Sequence, residues 1–148
     1  MIPDALIQAI AQAIATAEGF FVAGALPARA NNPGNLKMGN VGLGTIGGKT
    51  VYPSAEAGWG ALHRQVSLML TGQSAYYKPS MTIAQVAAIY TGGDNAAAWA
   101  RIVAARLGTT VDATLTQLLG RGPERTQNTL LIAALVALGG ALVLSMTD

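Results

Sequence analysis

No cysteine occurs in the chain, which excludes disulfides, thiolate metal sites and cysteine nucleophiles and leaves the redox compartment open. Histidine is nearly absent: His63 stands alone, so a site built from several imidazoles is excluded as well. Charge is scarce. Asp, Glu, Lys and Arg make up 11% of the 148 residues, against about a quarter in ordinary globular chains, and mean hydropathy is +0.40. A net charge of +2 without a basic cluster gives no footprint for nucleic acid. The length allows one core of ordinary size and is short for two domains.

The apolar content is unevenly placed. The N-terminal run MIPDALIQAIAQAIATAEG has no basic start and is interrupted by Asp4, Gln8 and Gln12, so it is not expected to be a secretory signal. Residues 127–147, QNTLLIAALVALGGALVLSMT, contain no charge at all. At about 1.5 Å per residue this run spans roughly 31 Å, the thickness of a bilayer's hydrocarbon core. It predicts a transmembrane helix over 129–146, separated from a main domain over 1–121 by a polar joint over 122–128, part of the stretch that opens with RGPERTQ at Arg121.

Within that domain the pattern predicts a mainly α (α+β) fold with one small hairpin. The helix expected over 3–18 carries Leu6, Ile10 and Ile14, with Ile2 just before it and Ala9, Ala13 and Ala17 on the same face, a helical period, and Gly19 is its stop. Residues 22–40 are rich in Gly, Pro and Asn and read as one long loop. A hairpin is expected over 41–52 around Gly47-Gly48. Ser54 is placed to cap a helix over 55–71, and Thr82 with Gln85 to form a capping box for a helix ending near Tyr90. Asp94 is expected to cap the next helix, which runs to Gly108, and Asp112 to start a last short one ending at Gly120. His63, four residues after Trp59, reads as a flanking helix residue.

Glu18 is the residue that local preference does not explain. It lies four residues after Ile14 and eleven after Ile7, at the edge of the apolar stripe. It also falls in the last turn, where the helix dipole disfavours negative charge. A carboxyl held near its protonated form suits a general acid; a solvated helix-end glutamate is the plain alternative. The asparagine-rich turn NNPGNL (31–36) follows closely. Its clustered amides can supply donors and acceptors to a polyhydroxyl or N-acetylated ligand. Asn32 and Asn35 can equally tie the turn together through Asx hydrogen bonds. Glu56, just after Ser54, is either a helix-start charge favoured by the dipole or a second site residue.

The order EGF, a Gly-rich loop, NNPGNL, a hairpin, YPSAEAGWGALHRQ, MTIAQVAAIYTGG, and Trp99 through LGT resembles the phage-encoded murein hydrolases of the lysozyme superfamily. These are related in fold to soluble lytic transglycosylases and goose-type lysozyme. The resemblance covers roughly residues 5–118 and implies a lysozyme-like helical domain that cleaves peptidoglycan without a cofactor or metal. It assigns the general acid to Glu18, with the glycan in a groove between helices and hairpin. Tyr90 resembles the tyrosine of the family's Tyr-Asn-Ala-Gly motif, here Tyr90-Thr91-Gly92-Gly93, and Asn32, Asn35, Tyr90 and Glu56 are the candidate substrate contacts. Ordinary glycosidases use two carboxylates; with no second one well placed, a transglycosylase mechanism that uses the substrate's own 6-hydroxyl is expected.

Arg121 and Arg125 precede the apolar run, which favours anionic headgroups and a cytoplasmic main domain. A substrate outside the cytoplasmic membrane conflicts with that placement. The conflict is removed if the protein travels in a virus particle with an internal membrane and opens the wall, from the periplasm side, during genome delivery. Peptidoglycan strands, a lipid membrane and other virion membrane or capsid proteins are then the expected partners, the last through a stripe of Ala133, Ala137 and Ala141 beside Gly140. The rival expectation is a non-catalytic assembly protein of the virion with a lysozyme-like head. The anchor is tested by solubility. Full-length chain is expected to require detergent or lipid, and chain ending near Gly122 to remain in solution. A monodisperse full-length species without detergent, measured by light scattering, removes the membrane span.

Overall fold

The computed structural model describes residues 1–37 and 42–121. The joint over 122–128 and the transmembrane helix over 129–146 lie outside the described residues. Among the described residues no helix is long and apolar enough to cross a membrane. The fold is mainly helical with one small antiparallel sheet. In chain order the elements are α1 (Asp4–Ala17), α2 (Leu26–Arg29), β1 (Thr45–Ile46), β2 (Lys49–Thr50), α3 (Ala55–Thr71), α4 (Ile83–Thr91), α5 (Ala96–Arg106) and α6 (Leu115–Leu119).

Helix α1 is central. The 3.6-residue period predicts one buried face, yet Ala11 and Ala15, off the main stripe, are also fully buried, beside Leu6, Ala9, Ile10, Ala13 and Ile14. Alanine makes this possible, because a methyl side chain lets neighbouring helices approach closely on several sides at little entropic cost. Helices α3 and α5 pack against α1, and α4 packs against α5. The core is completed by Leu62, Val66 and Met69 of α3, Ile83 and Val86 of α4, Trp99 and Val103 of α5, and Leu115 and Leu118 of α6.

Helix α1 ends in a Schellman motif. The Phe20 N–H donates to the Ala15 carbonyl at 3.0 Å and the Gly19 N–H to that of Thr16 at 3.1 Å, which requires the left-handed conformation that Gly19 adopts at φ 80. Glu18 is therefore the C-cap residue, one position beyond the last helical turn, and the chain reverses immediately after it.

Ser54 caps α3 through the Ala57 N–H, and Thr82 and Gln85 form a complete capping box on α4, as the sequence predicts. The other two starts differ. Helix α5 begins after Asn95, which stands at φ 58 without a side-chain cap, so Asp94 is not the cap. Helix α6 begins after Thr114, whose capping box with Gln117 displaces Asp112 from that role. The starts of α4 and α6 lie side by side, bridged at Thr82 and Thr114. The expected long loop contains α2, whose Pro27 sits where proline is pre-organised for a helix start. The hairpin pairs Thr45 with Thr50 and Ile46 with Lys49, closed by Gly47 and Gly48, both at positive φ, as a two-residue turn of the primed type demands.

The turn at 31–36 is held against α3 at van der Waals limits. A Cβ on Gly58 would overlap the Asn31 carbonyl, so the helix and the turn approach at a distance only glycine permits. Gly60, on the opposite, exposed face of α3, is helical and meets nothing within 4 Å. Gly58→Ala is therefore expected to destabilise the protein by about 3 kcal/mol, the upper part of the overpacking range. Gly60→Ala is expected to stabilise it by about 0.5–1 kcal/mol through helix propensity. Chemical denaturation of both variants checks the pair; equal effects would mean that the α3–turn contact is not closely packed.

Candidate active site

An open cleft of about 560 Å3 lies where the end of α1, the 31–36 turn, the hairpin and the start of α5 meet, and Glu18 lines it. The half-buried Glu18 carboxylate has both oxygens engaged. The Trp99 indole N–H donates to Oε1 at 2.8 Å and the Asn35 side-chain amide to Oε2 at 3.0 Å. A carboxylate has about four acceptor positions, so two stay available for a proton or a ligand while the two donors fix its orientation. Both donors are neutral.

Asn35 reaches Glu18 because of its own backbone. It stands at φ 50, a left-handed conformation that asparagine tolerates better than most residues, directly after the turn closed by its N–H on the Asn32 carbonyl at 2.9 Å. Pro33 and Gly34 occupy the central positions of that turn. Gly34 is needed for space: a Cβ there would come within 2.8 Å of Leu62 and 3.0 Å of the Tyr90 hydroxyl. The Tyr90 hydroxyl donates to the Gly34 carbonyl at 2.6 Å. Tyr90 thus joins α4 to the turn, and its ring lies against Trp99 at 5.0 Å between centroids. Tyr77 continues the series, 6.3 Å from Tyr90.

Of the residues singled out in the sequence, Glu18, Asn35 and Tyr90 come together in the cleft. Asn32 does not line it. That residue is fully buried: its amide donates to the carbonyls of Leu36 and Thr50, both at 2.9 Å, and accepts from the Leu36 N–H at 2.8 Å. Of the two roles open to Asn32, the structure has it tie the turn. Glu56 is exposed in the first turn of α3, where the dipole favours its charge, and it is not among the cleft residues. Asp94 is: freed from capping, this exposed carboxylate stands on the rim.

Several lining residues carry no sequence signal of their own. Trp99 is one: a buried indole N–H needs an acceptor, but nothing along the chain pairs it with Glu18, 81 positions away. Lys37, Lys49, Gln65, Tyr76 and Thr91 also line the cleft. Thr91 turns its hydroxyl to the Ala87 carbonyl at 2.9 Å and accepts from the Gly93 N–H, closing the end of α4. Tyr76 is 74% exposed, a free aromatic face at the rim. His63 lies outside, beside Trp59 at 6.1 Å. Among the described residues no group of three or more potential metal ligands gathers.

Burial first, and then the Glu18 carboxylate, push the Tyr77 phenol up to about 12. The same two causes, with weaker help from Tyr77 and Tyr52, hold Tyr90 well above its ordinary value of 10.0; burial alone raises Tyr52. The Tyr90 hydroxyl is therefore a permanent donor to Gly34 over the physiological range. Neither family models, nor curated proteins, nor solved structures give a match to this chain.

These tyrosines make stability pH-dependent in one direction. A phenol whose folded-state value is raised contributes stability that is complete below its unfolded value, near 10, and lost as pH rises through the folded value. Unfolding free energy is expected to fall above about pH 10, and the change to be smaller in Tyr77→Phe. Denaturant titrations between pH 8 and 12, read with tyrosinate absorbance, check this; tyrosinate forming in the native state near 10 for all tyrosines would contradict it.

Proposed function

We propose that the protein is a peptidoglycan-degrading glycosidase of the lytic transglycosylase type, with Glu18 as its acid and base. The single observation that supports this best is the setting of Glu18: a half-buried carboxylate in an open cleft, oriented by Trp99 and Asn35. The cleft walls offer what a chain of N-acetylated sugars binds, aromatic faces at Tyr76 and Tyr90 and amides at Asn35, Gln65 and Asn95. The order of motifs described for the sequence adds the resemblance to lysozyme-superfamily murein hydrolases.

In this mechanism protonated Glu18 gives its proton to the glycosidic oxygen, and the bond from that oxygen to the anomeric carbon breaks. The N-acetyl oxygen of the same sugar stabilises the cationic carbon. The Glu18 carboxylate then takes the proton of the sugar's 6-hydroxyl, whose oxygen bonds to the anomeric carbon. A 1,6-anhydro end results, Glu18 is returned to its acid form, and no water is consumed. Asp94 on the rim favours one second form: in hydrolysis it would activate a water, and the product would carry a reducing end. The apolar run over 129–146 is proposed as the anchor in a virion membrane, from which the domain acts on the host wall during entry.

The test uses full-length protein in detergent with purified sacculi and product masses. Glycan products are expected to be one water lighter than hydrolysis products. Glu18→Gln is expected to lose at least about 10²–10⁴-fold in rate, the usual worth of general acid–base catalysis, while keeping its melting temperature. The substituted amide can still accept from Trp99, and Asn35 can turn its unpartnered Oδ1 toward the new N–H group. An active Glu18→Gln protein would remove Glu18 from the chemistry. Reducing ends whose formation depends on Asp94 would replace transglycosylation by hydrolysis.

A further inference from the structure

The hairpin wall of the cleft carries positive charge that the chemistry above does not use. Lys37 and Lys49 both line the cleft with Glu18. Their placement follows from the buried Asn32 amide, which binds the carbonyls of Leu36 and Thr50, and from the Thr50 N–H, which donates to the Leu36 carbonyl at 2.9 Å. These bonds lay residues 36–37 beside β2. Thr50 is buried while Lys49 is only partly so, and because side chains alternate along a strand Lys49 turns to the cleft.

Two ammonium groups on one wall repel. Burial and the Lys37 charge both push Lys49 below its ordinary value of 10.5, and only the Glu18 carboxylate acts in the other direction. Both Glu18 oxygens are held by Trp99 and Asn35, and among the described residues neither lysine is in an ion pair. A neutral sugar chain needs no such pair. An anion between the two ammonium groups would relieve their repulsion and form charge-assisted hydrogen bonds.

We propose that Lys37 and Lys49 form an anion subsite that seats a carboxylate borne by the glycan next to the scissile bond. The proposal rests on the cleft taking a glycan. Two groups in peptidoglycan supply that chemistry: the free lactyl carboxylate of an unsubstituted muramate, and the carboxylates of a peptide stem. In either case the lysines select the acid-bearing sugar for the hairpin side of Glu18 and so set the register of cleavage.

Binding, rather than turnover, tests it. Calorimetry would be run on full-length protein in neutral detergent, in the Glu18→Gln background so that ligand is not consumed. The three ligands are a neutral N-acetylglucosamine tetramer, an alternating tetramer with free lactyl carboxylates, and the same tetramer bearing peptide stems. Lys49→Gln is expected to weaken carboxylate-bearing ligands about tenfold and Lys37→Gln about threefold, with the neutral tetramer unchanged in both. The unchanged neutral binding also reports an intact fold. Loss with the lactyl ligand assigns the subsite to that group; loss with the stem ligand alone assigns it to the peptide. Equal binding of neutral and acidic ligands, or equal loss of both in the lysine variants, overturns the subsite while leaving the glycan cleft standing. Failure to bind any of the three overturns both. Lysine-dependent acidic binding in a protein that cleaves no sacculi keeps the subsite and removes the enzyme.

Discussion

The Asn32 amide has no exposed surface, so every polar atom on it must be satisfied inside the protein or leave a penalty of about 1–3 kcal/mol. It meets that constraint with bonds to the Leu36 and Thr50 backbones, and the rest of the cleft follows. The turn 31–36 is fixed to the hairpin, Asn35 is carried to Glu18, and Lys37 and Lys49 are set on one wall. A two-strand hairpin of this size has little stability of its own. Here it is held in place by a side chain that belongs to a different segment.

Glu18 shows the opposite economy. Its position at the end of α1 puts negative charge where the dipole opposes it, and among the described residues no lysine or arginine is paired with it. Two neutral donors compensate, one from α5 and one from the turn. Placing a group against local preference and then surrounding it with support from distant segments is the pattern expected of a site built for chemistry rather than for stability. The central, alanine-faced α1 that carries it packs against both α3 and α5.

Features that depend on neighbours along the chain were legible in the sequence. The stop at Gly19, the cap at Ser54, the Thr82–Gln85 box and the Gly47-Gly48 turn rest on local backbone chemistry and stand where the pattern places them. Competing local signals were not resolvable. Asp94 and Asn95 both suit a helix start, as do Asp112 and Thr114; the local capping box of Thr114 with Gln117 set the second, and the left-handed Asn95 precedes the first. Contacts between distant segments were hidden altogether. Nothing near Trp99 announces that its indole reaches a residue 81 positions away, and Gly58 looks like any helical glycine until the Asn31 carbonyl is placed against it. Asn32 and Asn35 were equivalent as letters. Backbone conformation and burial separated a clamp from a cleft residue.

The last described residue is held against the far end of α5. Arg121 donates to the carbonyls of Leu107 and Gly108 at 2.7 and 3.4 Å, satisfying groups that the end of α5 leaves open. Trp99 stands near the start of the same helix, about 12 Å away along its axis at 1.5 Å per residue. The point at which the chain departs toward 122–148 is therefore at the end of α5 away from Glu18.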